Sequence, residues 1–513
     1  MKYSMPASQD CTDSPRLIKI LFFALLVFLF LVPVGSFAQK IFDFNNNCQQ
    51  AYKEIIWLKL KSGQEILNNE KKINPDNLIP YFLENYIDFF VLFLNQDPAE
   101  YKLRKENAEK RLQLMKTGPV SSPFYLFTRS VIHFQWAAVH VKFADNWDAA
   151  WEFRRSFLNG KEGQEKFPQF TPGVMLNGAM QVAAGTIPGG YKWLSNLLGI
   201  KGTIRGGMQR LEQFISQDDP WALVFRDEAI FYYLYLKFYI ENKKDEVFYF
   251  ITQHQLDIKN NHLFTYLATN LAINNQHAAY AERIMLQRNN APGYFETPLW
   301  DLEMGYAKID HLDPDAPVYL ERFISQFKGK FYVKDILQKL SWFYYLEGNQ
   351  QKAKEYRLLI LKKGSMDTEA DKQAWKEAKT DKWPNKLLLK ARLLNDGGFH
   401  KEALQMLEGK SSADFSEAEE KVELAYRLGR IYDDLDRKDE AIAAYLTSIK
   451  LGQQRKEHFA ARAALQIGYI YEKRNDKLKA IAYFEKVIDL KDHDYKNSLD
   501  QKAKAGIARC KNQ

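Results

Sequence analysis

Two stretches near the C-terminus space a glycine, an alanine and an aromatic ring identically. One reads Leu428-Gly429-x-x-Tyr432 followed by Ala441 and Tyr445; the other reads Ile467-Gly468-x-x-Tyr471 followed by Ala480 and Phe484. In both, the alanine lies twelve residues after the glycine and the ring four residues after the alanine. Two antiparallel helices that pack closely need this arrangement. The glycine lets the second helix approach, the alanine keeps the contact thin, and the rings fill the space on either side. Between the halves stand Asp436-Arg437-Lys438-Asp439 and Asn475-Asp476-Lys477, polar residues suited to a turn.

Degraded copies of the register continue towards the N-terminus. Ala391, Leu394, Ala403 and Leu407 fit it with Gly397 and Gly398 at the turn; so do Leu340, Ser341, Tyr344 and Ala353 with Gly348 at the turn. Met304-Gly305 opens another, and Leu234, Tyr235, Phe238, Val247 and Ile251 another with the alanine replaced. In the N-terminal half Trp136, Ala137 and His140, a turn at Asp145-Asn146, then Ala149 and Phe153 predict a helical hairpin over 121–158. Leu499 to Ile507 reads as a closing helix with Lys502, Lys504 and Arg509 outward. No alternating run of β-branched residues bounded by Asn-Gly or Asp-Gly turns occurs, so helices are expected throughout.

The C-terminal third resembles the tetratricopeptide-repeat superfamily at 384–408, 422–451 and 461–489, as does 334–362. That resemblance implies an all-α, tetratricopeptide-like solenoid of helical hairpins wound as a right-handed superhelix, and a role as scaffold, chaperone adaptor or envelope-assembly factor. A second resemblance covers 121–213. Gly185-Thr186-Ile187-Pro188, Leu197-Leu198-Gly199-Ile200-Lys201-Gly202 and Gly206-Gly207-Met208 with Leu211 are similar to the glycine-marked insert of a eukaryotic tetratricopeptide family linked to the mitochondrial outer membrane and inclusion-body clearance. Where that family carries an acidic residue this chain has Thr203, so architecture carries over and no functional residue does. The expected organisation is a signal peptide at 1–38, a degenerate helical region at 41–213 with the insert at 160–207, divergent helical pairs at 214–383, and clear repeats with a capping helix at 384–513.

The first residues have the three-part build of a secretory signal: Arg16 and Lys19, the apolar run Ile20 to Val32, then Pro33, Gly35 and Ser36-Phe37-Ala38. The run is shorter than the roughly 20 residues a bilayer span needs, which favours cleavage after Ala38 over an anchor. Cleavage removes three basic and two acidic residues, so the net charge falls from +8 to +7. A charge this mild, with acids and bases alternating as on solvated helix faces, excludes a concentrated nucleic-acid surface. Cys48 and Cys510 remain; lying at opposite ends of an elongated array, they are not expected to pair.

Motifs for chemistry are missing. The glycines between 185 and 207 follow no predicted strand and form no Gly-x-Gly-x-x-Gly, and are expected to form a structural loop between helices. Gly409-Lys410-Ser411 has Leu404 where a phosphate loop needs glycine. His133 and His140, seven apart, could share a metal, but the repeat register gives them packing positions. No nucleophile elbow or activated cysteine occurs, so the chain is expected not to be an enzyme and to use no cofactor or metal. A sugar-stacking role for the many aromatics is weaker than a core role, since most recur at helical spacing.

What remains is the concave face: the tetratricopeptide resemblance implies that the first helix of each pair points Asn385, Leu388, Arg392 and Asn395, then Glu423, Tyr426, Arg430 and Asp433, then Arg462, Leu465, Tyr469 and Glu472 into a groove. Arg392, Tyr426, Arg430, Asp433, Arg462, Tyr469 and Glu472 are the candidate binding residues, because tyrosine and arginine dominate interface hot spots. Leu388, Tyr426 and Leu465 stand where the lysine of an acidic-tail clamp would be. The expected partners are protein or peptide segments at the periplasm or cell envelope, without nucleic acid or a small-molecule ligand. The rival reading is a ligand-binding or catalytic site at the 160–207 insert.

Overall fold

The computed structural model describes residues 39–186, 199–200 and 202–512; residues 1–38, where a signal peptide is expected, and Gly189 and Gly190 of the insert lie outside them. The described residues form helices throughout, with an isolated bridge between Ile41 and Asn77. In chain order these are α1 (Asn46–Ile56) with α2 (Leu60–Ile73); α3 (Ile79–Asn95), α4 (Pro98–Arg104) and α5 (Asn107–Met115); α6 (Phe124–Lys142) with α7 (Asn146–Lys166); and α8 (Thr171–Gly185) with α9 (Ile204–Ile215). Then come α10 (Pro220–Tyr239) with α11 (Lys244–Gln253), α12 (His262–Ile273) with α13 (Ala278–Gln287), α14 (Leu299–Ile309) with α15 (Ala316–Gln326), and α16 (Val333–Leu346) with α17 (Gln350–Lys362). A lone helix, α18 (Glu369–Ala378), precedes α19 (Lys386–Gly397) with α20 (His400–Leu407), α21 (Ala418–Asp434) with α22 (Lys438–Gly452), α23 (Phe459–Lys473) with α24 (Lys477–Asp489), and the closing α25 (Lys496–Asn512).

The spacing in the repeats has the expected cause. A Cβ on Gly468 would come 2.5 Å from the Phe484 ring, and one on Gly429 would strike Tyr445. The glycine is thus the seat of the partner helix's ring, and Gly506 of α25 receives the other edge of Phe484. Gly305 receives Leu320 in the same way, which makes Met304-Gly305 the start of the α14–α15 pair.

A second device is shared more widely than the glycine. Leu58, Ala144, Gln276, Leu312, Gly348, Gly398, Asp436 and Asn475 all have φ between 58° and 91° and stand at the turn of a hairpin. In each, the next residue donates its N–H to the carbonyl five residues back, at 2.8–2.9 Å. This left-handed helix stop satisfies the terminal carbonyls and reverses the chain.

Of the loop expected over 185–207, residues 187–198 and 201 lie outside the described residues; α8 ends at Gly185 and α9 begins at Ile204. Gly178, Gly202 and Gly207 are close-contact surfaces: a Cβ on Gly207 would lie 2.5 Å from the Gly178 carbonyl oxygen, and one on Gly202 would meet that of Gln181. Without side chains at these positions, α8 and α9 pack almost backbone to backbone. Thr203 caps α9 by accepting from the Gly206 N–H.

Buried apolar residues form one continuous cluster from Phe44 to Ala378, then smaller ones within Leu388–Ile431 and Val422–Cys510. The first hairpin folds back on α10. The hydroxyls of Tyr52 (2.6 Å), Tyr86 (3.0 Å) and Tyr232 (2.7 Å) all donate to the buried Glu228 carboxylate. Burial raises this carboxyl above its ordinary pKa, and the three hydroxyls bring it part of the way back. Cys48 and Cys510 are both free and buried.

The tips of the middle hairpins hold the C-terminal repeats. Gln276 Nε2 donates to the Asn395 carbonyl (2.9 Å) and to Asp434 (3.0 Å), and His311 stacks on Phe399 at 3.8 Å. Gly398 lies directly on the Gln276 carbonyl. Gly398→Ala is therefore expected to cost several kcal/mol, since it combines a forbidden φ with a backbone clash. Ala144→Gly, which relieves a left-handed alanine at a turn tip, is expected to gain about 0.5 kcal/mol. Thermal unfolding of both variants checks the pair.

Candidate binding cavity on the first-helix face

The first helices α19, α21 and α23 pack side by side, so residues recurring every three to four positions along each share one face. A cavity of about 580 Å³ opens on that face. Its wall comes from Arg392, Glu423, Tyr426, Arg427, Arg430 and Arg462, and its far side from α18, the linker at Trp383, and Asp494 with Tyr495.

Asn385 starts α19 by accepting from the N–H groups of Leu387 and Leu388 and donates to Glu420 at 3.0 Å, which fixes the mouth. Arg392 lies over the Trp342 ring at 4.9 Å and 3.5 Å from Asp396. Arg427 is held by Glu423 through two hydrogen bonds of 3.0 and 2.7 Å. Arg430 reaches Asp434 at 3.3 Å, and its buried Nε finds no acceptor. Arg462 stands over Tyr495 at 5.5 Å and pairs with no carboxylate among the described ion pairs.

Around His458 the cavity is electropositive. Burial, followed by Arg462, Arg427, Arg392 and Lys376, pushes the His458 pKa down to about 2, so this imidazole is neutral. Burial raises the Tyr426 phenol, but Arg430, Arg462 and Arg427 outweigh it and hold it below the ordinary tyrosine value. Acids line the cavity as well, among them Glu377 beside Arg392, Glu423, Asp396 and Glu457. The centre offers hydrogen-bond donors and ring faces to an acceptor-bearing group.

Of the sequence candidates, Arg392, Tyr426, Arg430 and Arg462 line this cavity, together with Asn385, Asn395 and Glu423. Tyr426 is buried among Tyr445 and Phe459, so it supports the wall from behind. Three candidates lie elsewhere. Asp433 binds Lys438 at 2.8 Å across the hairpin turn, Tyr469 packs on Phe484 at 5.4 Å, and Glu472 is clamped by Arg509 of the closing helix. Leu388 and Leu465 are core. Sequence reasoning missed α18 and the linker. The available signal was Trp383-Pro384, a large ring in a polar connection, here stacked on Tyr345 at 4.6 Å and covered by Arg357 at 4.5 Å.

Around the insert, the described residues Gly160 and Gly163 border a cleft of about 10 Å³, barely room for one water. His133 hydrogen-bonds Glu152 at 2.5 Å, while His140 meets Tyr101 at 3.3 Å, so the two histidines serve separate contacts. The described group best placed to share a metal ion is His140, Asp145 and Asp148, whose ligand atoms lie within 4.8 Å of one another at a largely exposed turn.

A family model for the tetratricopeptide repeat matches residues 422–453 and 461–494, the pairs α21–α22 and α23–α24. No curated protein matches the chain.

The cavity is closed on one side by Lys376 of α18, which pairs with Asp494 and lies over Tyr495 at 5.4 Å. Both partners of this pair are well exposed, so its energy is at most about 1 kcal/mol. Lys376→Ala is expected to leave the melting temperature nearly unchanged while speeding amide exchange in 379–385 and 490–496, as read by hydrogen-exchange mass spectrometry.

Proposed function

We propose that this chain, a helical-hairpin solenoid ending in tetratricopeptide repeats, is a non-catalytic scaffold or assembly factor that holds a segment of another protein in the cavity between α18 and the first helices of its last pairs. Tetratricopeptide repeats generally bind protein or peptide partners. The observation that carries the reading is the pair of guanidiniums at the cavity centre: Arg462 without a carboxylate, and Arg430 with a buried Nε that donates to nothing. A buried donor left unsatisfied costs about 1–3 kcal/mol, which an incoming carbonyl or carboxylate removes. An extended segment suits the site, because its backbone presents acceptors at short intervals.

The N-terminal segment supports a place of action outside the cytoplasm, in the periplasm or at the cell envelope. Among the described residues no helix is long and apolar enough to cross a membrane. Signal cleavage predicts a mature chain beginning at Gln39, which intact-mass measurement reads directly.

Arg430→Gln with Arg462→Gln removes both charges and keeps the polar stems. Partner capture from envelope extract is expected to weaken about thirtyfold, the scale of a hot-spot loss near 2 kcal/mol. Full capture by the folded double variant would remove the cavity from the account.

A further inference from the structure

The first-helix face of the middle pairs carries a second set of groups that the cavity does not use. Phe231, Tyr235 and Tyr239 stand on successive turns of α10, with ring centroids 5.9 Å apart between the first two and 4.7 Å between the second two. Tyr235 is 38% exposed, Tyr239 41%, and Tyr332, at the entry to α16, 41%. Beneath them lies Glu303 of α14, only 2% exposed. Tyr239 donates to Asn270 Oδ1 at 3.0 Å, and Asn270 Nδ2 donates to Glu303 Oε1 at 2.9 Å. Among the described residues the second carboxylate oxygen has no hydrogen bond and Glu303 takes part in no ion pair.

A buried carboxylate without a cation is costly, and this chain avoids it elsewhere or surrounds the acid with donors, as at Glu228 and Asp371. Several other rings lie under the chain's own cations, although the exposed Trp147 and Tyr249 have no described cation over them. Lys237 lies over Tyr233, Arg283 over Tyr280, Arg322 over Tyr319 and Lys352 over Tyr344, at 4.5 to 5.3 Å. No described cation–π contact involves Tyr235, Tyr239, Tyr266 or Tyr332. Tyr332 is also held with φ at 63° by the buried Asp371, which accepts from its N–H at 2.9 Å. A non-glycine residue is thus kept in the left-handed region with its ring at the rim.

We propose that this face binds a lysine or arginine side chain of an extended protein segment, the cation meeting the ring faces of Tyr235, Tyr239 and Tyr332 with Glu303 as its counter-charge. Ring faces carry negative potential and attract cations, most strongly where water is excluded. Charge complementarity selects the occupant: every group around Glu303 is an acceptor, a phenol or an amide. Tyr235 and Tyr239 face it from α10, Tyr266 and Asn270 from α12, and Tyr332 from the α16 entry, with Asp335 and Asp371 behind Tyr332. Burial pushes the Glu303 carboxyl up to about 7, and the Asn270 bond is the single opposing influence. This basic-segment site is separate from the arginine-lined cavity and goes beyond the proposed function.

The test uses the full mature chain and a capped nonapeptide of alternating arginine and serine, with its glutamine counterpart and a chitin hexasaccharide as comparison probes. The wild type is expected to bind the arginine peptide at least tenfold tighter than the glutamine peptide. Glu303→Gln, which keeps the Asn270 bond, and Tyr235→Ala with Tyr239→Ala should each lose at least fivefold, while Arg430→Gln with Arg462→Gln should not. Stability gives an independent reading. Between the ordinary carboxyl value near 4.5 and about 7, the folded chain keeps a proton that the unfolded chain releases, so stability falls as pH rises through that window. Glu303→Gln should therefore melt above the wild type at pH 8 and together with it at pH 4. Equal arginine and glutamine binding, an unaffected Glu303→Gln variant, preference for the oligosaccharide, or identical melting at both pH values would overturn the proposal.

Discussion

The structure depends on one contact, a helix that leaves a position bare so that the ring or branched chain of its hairpin partner can enter. At Gly468 and Gly429 the entering groups are Phe484 and Tyr445; at Gly305 it is Leu320. This contact sets the distance between paired helices and therefore where each next hairpin can stack. Because Phe484 also touches Gly506, the same ring ties one hairpin to the helix that closes the array. A solenoid built this way needs no disulfide, and Cys48 and Cys510 play no part in holding it.

Stacking alone would leave two open faces, and the chain uses contacts far apart in sequence to shape them. Glu228 gathers three tyrosine hydroxyls and fixes the first hairpin against α10. Gln276 and His311 seat the end of α19, and α18 reaches Asp494 across the last repeats. Through these contacts the first-helix face becomes an arginine-lined cavity at one end and a tyrosine-lined surface in the middle. Both display side chains whose hydrogen bonds or charges the chain leaves incomplete.

Where the repeat kept its glycine, alanine and ring, at 422–489, the helix pairs stand where the spacing places them; a hairpin also spans 121–158, where Ala137 replaces the glycine, and runs on to Lys166, and a closing helix covers 499–507 within Lys496–Asn512. The α12–α13 pair escaped notice because Thr269, Ala281 and Met285 occupy the three key positions, and only the alanine survives. Its turn was equally hidden, since Gln276 takes the left-handed conformation that Gly348 or Asn475 would have announced. At the insert, Gly178, Gly202 and Gly207 mark close backbone contact, which spacing alone does not separate from a loop. Part of the cavity could be read from helical periodicity along α19, α21 and α23. Its far wall could not, because α18 and Asp494 meet the repeats only through tertiary folding, and Glu303's missing cation is a property of its surroundings rather than of its own neighbours in sequence.

The most direct test of the ring-into-glycine contact is a double-mutant cycle on Gly468→Ala and Phe484→Ala, read as the local opening free energy of α23 and α24 by hydrogen exchange. Overpacking at residue 468 and a cavity at residue 484 should each destabilise, by about 1–3 and 3–5 kcal/mol. If the added methyl group clashes with the ring, the double variant loses less than the sum by at least about 1 kcal/mol. Additivity within about 0.3 kcal/mol would mean that the ring and the glycine do not meet, and the packing scheme would fail.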